Sequence, residues 1–164
     1  MEPALYLRDP ANLVHPRSIW YWTARAAGFW LLILAVEVFV WLAKPGARPP
    51  TGVVLVATAA VAILHLAVMP RWRYRVHRWE ATDTAVYTRS GWFNQERRIA
   101  PLSRIQTVDT ERGPLEQLFR LANVTVTTAS AAGPVKIRGL APDDADRLVA
   151  ELTRITAQNP GDAT

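Results

Sequence analysis

Glu37 and His65 invite a chemical reading first, because each is an ionisable side chain inside a long apolar run. Glu37 sits well within the first run, where a carboxylate is expensive unless protonated or paired. Proton relay is the chemistry it could do. Its plainer role is to meet a polar group on a neighbouring helix, such as Thr58, or on a second chain. His65 tolerates burial as a neutral imidazole and could bridge two helices. His15 and His77 have no second ligand at metal spacing, so no metal is expected. Ser18, Ser90, Ser103 and Ser130 lack a His–Asp setting, and no Gly-x-Ser-x-Gly elbow is present. The glycines are scattered rather than gathered in a phosphate loop, and the paired carboxylates Asp143 and Asp144 fit a helix start. The chain therefore reads as a non-enzyme with no catalytic residues, no cofactor and no metal.

The remaining constellation is basic. Arg71, Arg73, Arg75 and Arg78 alternate through one short strip, and Arg97, Arg98 and Arg104 lie near a hairpin further on. Beside a membrane such cations attract anionic lipid by about 1 kcal/mol each. They could orient a domain on the leaflet, or they could read one headgroup. A pI of 10.2 also suits nucleic acid, but no helix-turn-helix, zinc spacing or aromatic RNA-binding signature accompanies it. Nucleic acid is not an expected partner.

The elements that must carry these residues begin with two apolar runs, residues 24–43 and 52–69. As helices they would measure about 30 and 27 Å, matching a hydrocarbon core of roughly 30 Å. The connector, residues 44–51, is short and rich in Pro and Gly, so the runs form an antiparallel hairpin. Trp20, Tyr21, Trp22, Trp30, Trp41 and Trp72 lie at or near the run ends, as interfacial aromatics do. Arg8, Arg17, Arg25 and the four arginines of the strip flank the hairpin's outer ends, against Lys44 and Arg48 in the connector. The positive-inside rule then places both termini in the cytoplasm of a multi-pass inner-membrane protein.

Residues 1–20 read as a cytoplasmic or interfacial lead-in, 21–70 as the hairpin, 71–157 as a cytoplasmic domain and 158–164 as a tail. The alternation of Trp72, Tyr74 and Val76 with Arg71, Arg73 and Arg75 suggests a strand. Its rival is that the second helix simply runs on past Pro70. Ser90-Gly91 reads as a hairpin turn, residues 105–112, 124–128 and 135–138 as further strands, and Leu115 to Leu121 as a short helical piece. Ala145, Leu148, Val149, Leu152 and Ile155 form the apolar stripe of a closing helix behind Pro142.

This order, with the segments Arg98 to Val108, Gly113 to Ala122 and Val124 to Ala129, resembles the bacterial pleckstrin-homology-like family of the YdbS/YdbT type. The likeness covers roughly residues 15–157, including Gly139-Leu140 before the last helix. It implies an α+β membrane protein: a two-helix transmembrane hairpin, then a partly open antiparallel barrel capped by a C-terminal helix. It implies no reaction. Where that family usually has Gly, this chain has Arg120, which puts the local turn in question. The leading expectation is a non-catalytic scaffold that docks a protein partner or self-associates at the cytoplasmic face. The alternative is an anionic-lipid-binding module, and the third reading is an accessory subunit of a transporter.

Overall fold

The computed structural model describes residues 9–44, 46, 48–130 and 133–158; the expected tail beyond residue 158 lies outside them. Helix α1 (Arg17–Ala43) and helix α2 (Arg48–Val76) pack side by side, and both are long and apolar enough to cross a bilayer. Two hydrogen bonds fix their antiparallel register: Trp30 Nε1 donates to His65 Nδ1 at 3.0 Å, and Thr58 Oγ1 donates to Glu37 Oε1 at 2.9 Å. Outward they present Phe29, Leu32, Phe39, Val56, Ile63 and Leu64 to the surroundings. An apolar surface this extensive marks a contact with lipid or with other protein.

The strip after Pro70 is helix, not strand. α2 continues to Val76, and the His77 amide still bonds the Arg73 carbonyl at 2.9 Å. Proline removes one ladder donor, yet side-chain donors can serve carbonyls near such a gap. Here Arg71 Nη1 donates to the Ala67 carbonyl at 2.7 Å. Over seven residues the period-two pattern also satisfies helical i, i+4 rows: Arg71 with Arg75, Trp72 with Val76, Arg73 with His77.

A four-stranded antiparallel sheet follows in the order β1 (Asn12–Leu13), β2 (Arg78–Ala81), β3 (Ala85–Gly91) and β4 (Gln95–Pro101). β1 comes from the lead-in, and its two residues pair with Arg78 and Trp79 of β2. A single 3-10 turn, Leu102–Arg104, leads to a second sheet of β5 (Ile105–Glu111), β6 (Ala122–Thr128) and β7 (Val135–Leu140). No ladder joins the two sheets among the described residues, so the barrel implied by the resemblance is not closed. The β3–β4 turn also falls later than Ser90-Gly91: those two residues belong to β3, and Trp92, Phe93 and Asn94 make the bend.

Helix α4 (Pro142–Gln158) lays Ala145, Leu148, Leu152 and Ile155 on the core formed by Val86, Ala100, Leu102, Val124, Val126, Ile137 and Leu140. Between β5 and β6 stands a short helix, α3 (Pro114–Leu118). It ends where Arg120 adopts φ 52°, and Arg120 is the one non-glycine residue at positive φ among the described residues. The Arg120 amide bonds the Gln117 carbonyl at 3.1 Å and the Leu121 amide bonds the Glu116 carbonyl at 2.7 Å, the paired bonds of a Schellman cap. The turn geometry is thus kept despite the arginine. A left-handed L-residue costs about 1–2 kcal/mol, partly offset because glycine loses more backbone entropy on folding. Arg120→Gly should raise stability by about 0.5–1 kcal/mol, read as a higher thermal midpoint in detergent.

Candidate functional site

The base of the helix hairpin is clamped to the domain at Gly139. Ser18, fully buried, donates its hydroxyl to the Gly139 carbonyl at 3.0 Å, and the His15 amide reaches the same oxygen at 2.8 Å. The Gly139 amide donates to Asn123 Oδ1 at 3.0 Å. Gly139 has φ 78°, and a Cβ there would overlap Ser18. Glycine is needed at this joint both for its backbone and for the close approach.

Beside this joint lies a cavity of about 390 Å³, lined in part by Arg25 of α1, Arg73 of α2 and Arg138 of β7. Three arginines from three elements and one carboxylate, Glu116, line it together. That carboxylate is already engaged, accepting from Tyr21 Oη at 2.8 Å and Asn123 Nδ2 at 3.3 Å. Burial pushes the Glu116 carboxyl up, but these bonds and the Arg25 charge hold it below the ordinary carboxylate range.

Arg73 is turned inward, and its guanidinium lies 4.7 Å over the ring of buried Trp22. Its Nε is buried and has no hydrogen-bond partner among the described residues. A buried unpaired donor costs about 1–3 kcal/mol, more when charged. Arg138 also lines an adjoining cavity of about 260 Å³ with His77, Glu96, Arg98 and Lys136, extending the positive field along β7.

His77 underlies the site, its ring tilted against that of Trp22 with centroids 4.8 Å apart. Its Nδ1 lies 2.9 Å from the Arg73 carbonyl, which can only accept, so Nδ1 carries the proton. Burial, then the Arg73 charge, lowers His77 to about 4. Between about 4 and the ordinary 6.5 the unfolded chain binds a proton that the folded chain refuses. Stability is therefore full above about 6.5 and falls as pH drops, by about 3 kcal/mol once below 4. The drop in thermal midpoint between pH 7 and 4 should be smaller in His77→Gln than in the parent chain.

The seven arginines singled out in the sequence do not form one patch. Arg73 enters the cavity, whereas Arg71 and Arg75 lie exposed on another face of α2. Arg78 contacts the Pro10 carbonyl at 3.5 Å. Arg97 pairs with Asp9 at 3.0 Å, and Asp9 also holds Arg89 at 2.6 Å. Arg98 is tied to Glu96 and donates to the Pro134 carbonyl at 3.1 Å. Arg104 sits exposed on the turn before β5. Glu37 and His65 bridge the two helices and do not line the cavity, and Glu37 Oε2 is buried without a partner among the described residues. Arg25 and Arg138 were missed as members of the site. They are 113 residues apart in sequence and meet only because β7 docks on the base of α1. Among the described residues no group of His, Asp and Glu could hold a metal ion.

Two apolar helices joined to antiparallel sheets and a closing helix define a membrane-type α+β chain with a PH-like domain. The chain belongs to the bacterial PH domain family, whose profile matches residues 22–156. It is also similar to the UPF0699 transmembrane protein YdbS of Bacillus subtilis (strain 168), at 29% identity over 162 residues, covering 90% of this chain and 96% of that relative. No solved structure matches.

Proposed function

We propose that the protein is a non-catalytic, membrane-anchored PH-like module that captures an anionic phospholipid headgroup at the joint between its helices and its domain. In this reading α1 and α2 span the inner membrane with both termini in the cytoplasm, as the arginine distribution favours. Arg25 and Arg73 then fall at headgroup level, next to the ends of the apolar runs. The observation that carries the reading is the convergence of Arg25, Arg73 and Arg138, from three elements, on one cavity. A phosphate there would accept from two or more guanidinium groups, and such charge-assisted bonds are the strong ones.

The test needs the full chain, because residues from α1, α2 and β7 all line the cavity. Protein extracted from mixed phosphatidylcholine and phosphatidylglycerol bilayers is examined by native mass spectrometry. Selective retention of the anionic lipid, lost in Arg73→Gln, supports the reading; equal retention of both lipids sinks it.

The scaffold role is a second reading, favoured by β5. Its outer edge has no ladder partner among the described residues and most of its side chains are exposed, an arrangement open to strand addition by a partner or a second copy. A stoichiometric crosslinked protein lost on substituting β5 surface residues would favour it.

A further inference from the structure

The bend between β3 and β4 carries two large aromatic residues where solvent-facing turns carry small polar ones. Phe93 is 89% exposed, the most exposed large apolar side chain among the described residues, and Trp92 is 40% exposed. The bend is held in place rather than left loose. Gly91 takes φ 109° with the Asn94 carbonyl packed where a Cβ would be, which fixes the tight turn. Trp72 Nε1 of α2 donates to the Trp92 carbonyl at 3.0 Å. The Trp92 ring lies 5.7 Å from His65, which in turn meets Trp30 at 5.9 Å. Rings thus run in contact from Phe29 and Trp30 of α1, through His65 of α2, to Trp92 and Phe93 at the tip.

His65 sits four residues before Met69, the end of the second apolar run. At 1.5 Å per residue that is about 6 Å inside the boundary. With α2 spanning a bilayer, the Trp92 ring beside His65 would lie at the level of the run's last turns, where α2 also leaves Leu64 and Val68 exposed. We infer that the Trp92–Phe93 tip inserts into the cytoplasmic-side interface of the bilayer, giving the domain a third lipid contact besides the two helices. Continuity with the apolar outer surface of the helices selects lipid as the occupant. An amphipathic Trp beside a fully apolar Phe also suits the headgroup–acyl boundary. The inserted tip would fix the tilt of the domain, and with it the direction from which a headgroup enters the arginine cavity.

This inference rests on the membrane reading of α1 and α2, so the experiment separates the two. The chain contains no cysteine, which makes single labelling sites clean. Phe93→Cys, Leu32→Cys in α1 and Thr84→Cys in the β2–β3 turn are each labelled with an environment-sensitive fluorophore. Each full-length variant is then reconstituted into liposomes bearing spin-labelled acyl chains, shallow for the Phe93 and Thr84 sites and deep for the mid-span Leu32 site. The Phe93 site should be blue-shifted and quenched at least about twofold more than the Thr84 site, as expected for burial about 5–10 Å into the interface. Quenching at Leu32 without quenching at Phe93 overturns the inference and leaves the membrane reading standing. A blue-shifted but unquenched Phe93 site also overturns it, in favour of contact between copies. No quenching at Leu32 or Phe93 overturns both.

Discussion

Gly139→Ala should loosen the joint between helices and domain and lower stability by about 2–5 kcal/mol. Two costs combine in that figure: about 1–2 kcal/mol for an L-residue held at positive φ, and about 1–3 kcal/mol for forcing a methyl into occupied space. The occupied space is Ser18, whose hydroxyl already bonds the Gly139 carbonyl at 3.0 Å. Gly133 supplies the control, because its φ of 79° is nearly the same but a Cβ there would meet nothing nearer than Arg98 Nη1 at 4.0 Å. Gly133→Ala should cost only the backbone part, about 1–2 kcal/mol. The difference between the two variants, read as thermal midpoints in detergent, isolates the helix–domain contact. The same displacement should expose the chain near Ser18 to limited proteolysis in Gly139→Ala alone. Equal effects at both glycines would mean that the clamp does not hold the helices to the domain.

Arg138→Gln should weaken selective retention of anionic phospholipid by about 10- to 100-fold, the loss of one hydrogen bond to a charged group worth about 1.5–3 kcal/mol. Arg138 is exposed at the cavity mouth, so the fold should tolerate its replacement. Arg73→Gln should reduce retention at least as much, because Arg73 is half-buried where Arg25 and Arg138 are exposed to water. Arg71→Gln and Arg75→Gln, on the other face of α2, should only lessen salt-sensitive attraction to the leaflet. Each such surface cation contributes about 1 kcal/mol and carries no headgroup preference. A uniform response to all four substitutions would indicate a diffuse basic surface rather than a site.

What could be read from the sequence follows from the range of the forces involved. The apolar runs, the stripe of α4 and the β-branched strand β6 are local patterns, and each stands where its pattern places it. The strip at residues 71–76 was ambiguous because period two and i, i+4 rows coincide over so few residues, and bonds around Pro70 decide for helix. β1 has only two residues and exists through pairing with β2, some 65 residues away, so no local signal announces it. The turn at Trp92–Asn94 was hidden because aromatic residues favour strands, and here they are held at a bend by Trp72 and His65 of α2. The candidate site was half legible. Arg73 stood out as part of a basic strip, but its inward direction depends on helical phase. Arg25 and Arg138 join it only through the tertiary contact at Gly139.

The central claim, that a lipid phosphate sits within hydrogen-bond reach of the junction arginines, is tested most directly by solid-state NMR. Protein with ¹⁵N-labelled arginine is reconstituted in anionic bilayers, and dipolar dephasing of guanidinium nitrogen by lipid ³¹P is compared between the parent chain and Arg73→Gln. A strong dephasing component is expected in the parent chain, abolished in Arg73→Gln and intact in Arg71→Gln. Dephasing that is unchanged in Arg73→Gln would mean that only surface arginines touch phosphate and that the junction holds no headgroup.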